Sequence, residues 1–93
     1  MVTYPYGTIA RVWAAVWGDN VELASRSAAN QHRVRCPYHH DNHPSCDVNL
    51  SKNTFYCRSC EAQGGLLDVV VLARNAPNRA AAVEWLRTHG VVL

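Results

Sequence analysis

The chain lacks several things whose absence narrows its function. Its first residues carry no basic stretch ahead of an apolar core and no small-residue cleavage site, so no secretory signal is expected. No apolar run reaches the roughly 18–20 residues that span a bilayer, and no membrane partner is expected. No cluster of carboxylates of the kind that holds catalytic metal ions is visible, and 93 residues leave no room for such a cluster plus a nucleotide site. A non-catalytic module is therefore expected. Internal repeats and low-complexity segments are also missing. A large net charge is lacking too: nine Lys and Arg stand against seven Asp and Glu, a formal +2, too mild to announce a polyanion binder by itself.

What is present points to one small folded domain, with 48% hydrophobic residues, three Trp and four Tyr. Chains of this size bury only about 60–65% of their unfolded surface and often need a staple. Four cysteines are the candidates. In the cytoplasmic setting expected here, reducing conditions favour metal or redox chemistry over structural disulfides.

Ile9, Val12, Trp13, Val16 and Trp17 recur at helical spacing, with Thr8 a candidate N-cap and Gly18 a stop. The two Trp pack on the domain's own core or, alternatively, form a docking stripe. Val21 to Ser25 is expected to form a second short helix, and the polar run Ser25 to Gln31 a connector. His32 to Arg35 and Cys46 to Leu50 look like strands, and Ser51-Lys52-Asn53 carries turn chemistry before the β-prone Thr54-Phe55-Tyr56. Leu66 to Arg74 is expected as a helix, with Asp68 in its first turn and Arg74 in its last. Arg79 to His89 is expected as another, opened by Asn78 and closed by Gly90. Gly64-Gly65 reads as a loop-to-helix turn more readily than as a phosphate cradle.

Cys36-Pro37-Tyr38-His39 and Cys57-Arg58-Ser59-Cys60 put two ligands each on two short turns, spaced C-x2-H, seventeen residues, C-x2-C. Zinc takes four N or S ligands in a tetrahedron, and a two-residue gap on a tight knuckle converges both side chains on one ion. Cys36, His39, Cys57 and Cys60 are thus expected to hold one zinc. Four protein ligands leave no open position for water, so the ion is structural. His40 and His43 compete with His39, which alone completes the two-residue gap. Asp41 is a candidate for orienting the bound imidazole. Cys46 lies outside both knuckles and reads as a core residue. A thioredoxin-like role for Cys57 and Cys60 needs a βαβ context, and the segment before Cys57 is hairpin-like.

Charge is concentrated in the middle: five cations (Arg26, Arg33, Arg35, Lys52, Arg58) against two acids, Asp41 and Asp47. Single-strand binding needs cations that follow phosphates and aromatic faces on which bases stack. Arg33, Arg35, Lys52 and Arg58 alternate with Tyr38, Phe55 and Tyr56. Phe55 and Tyr56 must point to opposite faces of a strand, and Tyr56 outward with Phe55 inward is preferred. The expected DNA-contacting set is Arg33, Arg35, Tyr38, Lys52, Tyr56 and Arg58; an ordinary solvated sheet is the rival reading. Three thiolates and one Zn²⁺ bring the formal charge to about +1, so binding has to come from the arrangement of these cations.

Arg35-Cys36-Pro37-Tyr38-His39, Asp41, Pro44-Ser45, Lys52, Phe55-Tyr56-Cys57, Cys60, Gly64-Gly65 and the tail Ala81-Ala82-Val83-Glu84-Trp85-Leu86 together resemble the zinc-binding domain of bacterial DnaG-type DNA primases, from Arg11 onward. The resemblance implies an α+β zinc ribbon, a small antiparallel β-sheet flanked by N-terminal and C-terminal helices. It implies a single primase-type zinc-binding domain over 1–93, with its ribbon core at about 32–65. It also implies a role in DNA replication: engaging single-stranded DNA template for primer initiation beside a primase catalytic domain or subunit that supplies the polymerase activity, with a replicative helicase as a further partner. The chain departs from the family pattern at Cys46, where an aromatic is common, at Asp41, commonly Glu, and at Arg58-Ser59, where a Gly is frequent. Template preference is therefore not transferable. The alternative is a stand-alone zinc ribbon, of a phage or mobile element, docking on a helicase or primase through Trp13 and Trp17 or through Trp85.

Overall fold

The computed structural model describes residues 4–18, 20–23, 25–38 and 44–91. Helix α1 (Thr8–Trp17) is followed by a single 3-10 turn (Val21–Leu23). Strands β1 (Ser25–Ala28), β2 (Gln31–Val34), β3 (Cys46–Asn49), β4 (Thr54–Cys57) and β5 (Gln63–Gly65) form an antiparallel meander in chain order. Helices α2 (Leu66–Leu72) and α3 (Arg79–Thr88) close the fold, which is the expected α+β arrangement of a small sheet between helices.

Alternation along the strands decides the faces. Val34, Cys46, Val48, Phe55 and Cys57 are buried against α1 and α2, and Asp47, Asn49, Thr54 and Tyr56 lie on the other side of the sheet. Phe55 is 2% exposed and Tyr56 41%, as the preferred orientation had it. Trp13 meets Phe55 edge to face at 5.7 Å between centroids, and Ile9, Val12, Val69, Val70, Ala82 and Leu86 share the same fully buried core.

Local expectations are corrected at several points. Thr8 is the first residue of α1 rather than its cap; its hydroxyl donates to the Pro5 carbonyl at 2.7 Å. The run Ser25 to Gln31 is not a connector: it supplies β1 and a tight turn. An edge strand of Ser, Arg and Ala has no apolar alternation to announce it, and its pairing with β2 is what creates it. The expected helix from Val21 shrinks to one 3-10 turn for the same reason, since the chain enters β1 at Ser25. Likewise Gly64-Gly65 extends β5, paired with Phe55 and Thr54, before becoming the entry to α2. Helix α2 stops at Leu72, and Arg74 lies beyond it in the left-handed region at φ 63°. Helix α3 opens as expected, with the Asn78 carboxamide oxygen accepting from the Ala81 N–H at 2.8 Å. Of the three Trp, Trp13 has no exposed surface, Trp17 is half-buried against Tyr38, and Trp85 is half-buried with its ring stacked on His89.

Candidate metal centre

Both knuckles hang from the same end of the sheet because of register. Val34 pairs with Cys46 and Cys46 with Cys57, so β2, β3 and β4 present this row together. Cys36 follows β2 by two residues, and Cys57 is the last residue of β4. The second knuckle is closed by its backbone: the Glu61 N–H donates to the Cys57 carbonyl at 2.9 Å, and the Cys57 N–H donates to the Ala62 carbonyl at 2.8 Å. Glu61 adopts φ 62° to let the chain reverse there.

This geometry brings the Sγ atoms of Cys36, Cys57 and Cys60 within 4.8 Å of one another, with Cys36 and Cys60 at 3.7 Å. Cys36 and Cys57 are buried and Cys60 is exposed. The Ser45 hydroxyl lies 3.4 Å from the Cys57 sulfur. Without a cation, burial pushes the Cys36 thiol up to about 12, and the adjacent Cys57 and Cys60 thiols push in the same direction; a backbone hydrogen bond at Tyr38 pulls it back. Three soft donors crowd together here, and a thiophilic divalent ion favours their thiolates by its charge. The donor set fits one structural zinc. His39, His40, Asp41 and His43 lie outside the described residues.

Cys46 stands directly opposite Cys57 yet does not belong to the thiol group. It is fully buried, and burial followed by the charges of Cys36 and Cys57 drives its thiol far above the ordinary range. It is the core residue the sequence suggested.

The six residues expected to meet DNA do not share one environment. Arg33, Asp47, Tyr56 and Gln63 form a row across β2, β3, β4 and β5 on the open face. Arg33 Nε donates to Asp47 Oδ1 at 3.1 Å, and Arg58 Nε lies 3.8 Å from Asp47 Oδ2. Asp47 therefore holds two of the cations beside the Tyr56 ring. Arg35 and Lys52 are exposed, Lys52 on the β3–β4 turn, where Asn49 Oδ1 accepts its backbone N–H at 2.9 Å. Tyr38 is different. It is half-buried, touching Trp17 at 5.5 Å and Phe55 at 5.8 Å, and its hydroxyl points at the Val69 carbonyl. Packing between the first knuckle and the core takes Tyr38 away from the open face. Composition alone makes Asp47 one of two acids among the central cations; its strand position, one residue from the inward Cys46, puts it on the cation side.

The family described as CHC2 zinc finger, the zinc ribbon of DnaG, matches residues 10–92. The chain is 29% identical over 72 residues to the DNA primase of Buchnera aphidicola from Acyrthosiphon pisum, covering 77% of this chain and 12% of that protein. It is 31% identical over 68 residues to the DNA primase of Aquifex aeolicus, covering 73% and 14%. The crystal structure of the Aquifex aeolicus primase, zinc binding and RNA polymerase domains, superimposes with a TM-score of 0.57 at 25% identity, over 96% of this chain and 23% of that one. The chain thus spans about an eighth of the length of the primases it matches. Among the described residues no helix is long and apolar enough to cross a membrane.

Proposed function

Because the chain belongs to the CHC2 zinc-finger family of DnaG-type primases, we propose that it is a zinc-stabilised recognition module that engages single-stranded template DNA and supports primer initiation. The chemistry of polymerisation comes from a separate catalytic domain or chain. The observation that carries this reading is the open sheet face, where Tyr56 projects beside Arg33 and Arg58 and the exposed Lys52 and Arg35 flank it. An aromatic ring serves any base, and cations at the strand ends follow the phosphates. Tyr38 does not join this surface; it supports it by packing under Phe55.

Cys36, His39, Cys57 and Cys60 hold the zinc, with three ligands supported by the thiol cluster and His39 by its spacing. When bound, zinc supplies no reaction step; it ties β2 to β4 and so fixes the orientation of the Tyr56 row. Thiolate ligands need a reducing compartment, which fits the cytoplasm. Within a replication system the module works beside a primase catalytic domain and a replicative helicase.

A salt titration of single-stranded DNA affinity tests this. A strand binder weakens steeply with salt, by about 0.7 of a logarithmic unit per phosphate contact for each tenfold rise in salt, and loses affinity in Arg35→Ala, Lys52→Ala and Tyr56→Ala. Salt-independent affinity, or affinity indifferent to all three substitutions, would favour the docking alternative. Single His→Ala variants at 39, 40 and 43 assign the fourth ligand, the true one being the variant that loses zinc.

A further inference from the structure

A second site lies at the end of the open face, away from the zinc. A cleft of about 500 Å³ opens between the β3–β4 turn and the start of α3, and Tyr4, Lys52, Thr54, Leu67 and Arg79 are among the residues that line it. Its volume falls in the range of small-ligand sites, about 300–1,000 Å³. Two cations line it, Lys52 on a turn and Arg79 at the start of a helix, together with the buried Leu66.

Arg79 is held there by a chain of specific contacts. The Gly65 N–H donates to Asp68 Oδ2 at 2.8 Å, which fixes the carboxylate at the entry to α2. A side chain at Gly64 would collide with it: an added Cβ would sit 2.6 Å from Asp68 Cβ and Oδ2. The fixed carboxylate accepts from Arg79 Nε at 3.1 Å and Nη2 at 3.0 Å, a two-point grip that sets the guanidinium plane. Asp68 uses only that edge, leaving Nη1 for another oxygen. The Gly64-Gly65-Asp68 sequence thus positions an arginine eleven residues downstream of the carboxylate.

We infer that this cleft binds the phosphate end of a single nucleotide, with Lys52 and Arg79 on the phosphate oxygens and the nucleoside against Tyr4 and Leu67. Anionic oxygens suit an Arg fork and a Lys point charge together, and a floor of leucine beside a phenol ring takes a base. The same phosphate chemistry can come from a free nucleoside triphosphate or from the backbone of a strand; the cleft's size, that of a small-ligand site, favours the free nucleotide. The site is independent of the strand-binding reading and shares only Lys52 with it.

The test is amide chemical-shift titration of the zinc-loaded 93-residue chain with ATP, with inorganic triphosphate, and with an oligothymidylate lacking a 5′-phosphate. ATP should shift the amides of Thr54, Gly65, Leu67 and Arg79 saturably, with a Kd of about 1 mM or tighter. Arg79→Gln and Arg79→Lys should each weaken ATP about fivefold or more, while zinc content and single-stranded DNA affinity stay as in the parent. Tyr56→Ala should do the reverse, losing DNA and keeping ATP. Shifts confined to the Arg33–Tyr56 row, no saturation by ATP, triphosphate binding as tightly as ATP, cleft shifts with the oligonucleotide alone, or an Arg79→Lys variant that binds like the parent would each overturn the assignment.

Discussion

Asn53 caps helix α1 from 44 residues away: its Oδ1 accepts the Ile9 N–H at 2.9 Å. Its Nδ2 donates to the carbonyls of Tyr4 and Pro5 at 3.3 and 3.1 Å, and the residue itself sits at φ 54° in the β3–β4 turn, 94% buried. One side chain therefore ties the β3–β4 turn to the N-terminal segment and satisfies a helix donor.

Asn53→Ala leaves the Ile9 N–H buried without its partner and replaces an asparagine, which tolerates the left-handed region, with a residue that occupies it less readily. Chemical denaturation should show a loss of about 2–4 kcal/mol. Asn53→Gly should be milder by about 1 kcal/mol, because the backbone conformation becomes free while the hydrogen bonds are still lost.

Zinc removal should largely unfold the centre of the chain. Structural zinc supplies about 10–16 kcal/mol at neutral pH, against the usual 5–15 kcal/mol for a whole domain. A strong chelator should abolish the cooperative thermal transition, as should Cys57→Ser. Cys46→Ala should still bind one zinc per chain by metal analysis, at reduced stability, because Cys46 fills core volume outside the thiol group.

Zinc affinity should fall as the pH drops. In the metal-free fold Cys36 holds its proton to about 12, so binding must expel protons from the thiols, and acid competes directly. Metal titrations between pH 6 and 8 in a weak competing buffer read this dependence.

Neighbouring aromatics should separate stability from binding. Phe55→Ala removes a ring packed against Trp13 and Tyr38 and should cost about 3–5 kcal/mol of folding stability. Tyr56→Ala should leave the melting temperature nearly unchanged and cost about 1–3 kcal/mol of single-stranded DNA affinity.

Gly64→Ala should destabilise by about 1–3 kcal/mol, since its new β-carbon must push Asp68 aside and so release both the α2 entry and Arg79. Asp68→Ala in the same background should relieve only the part due to the carboxylate, because the Asp68 Cβ, also 2.6 Å from the new atom, stays; a double-mutant cycle measures the coupling.

The sequence by itself determined the parts that depend on local spacing. Ile9, Val12, Trp13, Val16 and Trp17 announce α1, and Asn78 with Gly90 brackets α3. The two C-x2 knuckles specify zinc chemistry, and alternation puts Phe55 in and Tyr56 out. Each follows from a periodicity of two or 3.6 residues or from a two-residue gap, which a chain carries within a few positions. Tertiary structure alone decided what depends on pairing across the chain. Strands β1 and β5 exist because β2 and β4 offer them hydrogen bonds, and polar or glycine-rich segments give no local sign of this. Tyr38 turns inward because Trp17 and Phe55 leave a place for its ring. Asn53 reaches Ile9, and Asp68 reaches Arg79, through contacts that close only when helices meet the sheet. A hydrogen bond between residues 44 apart has no period to read, so only the folded chain can place it.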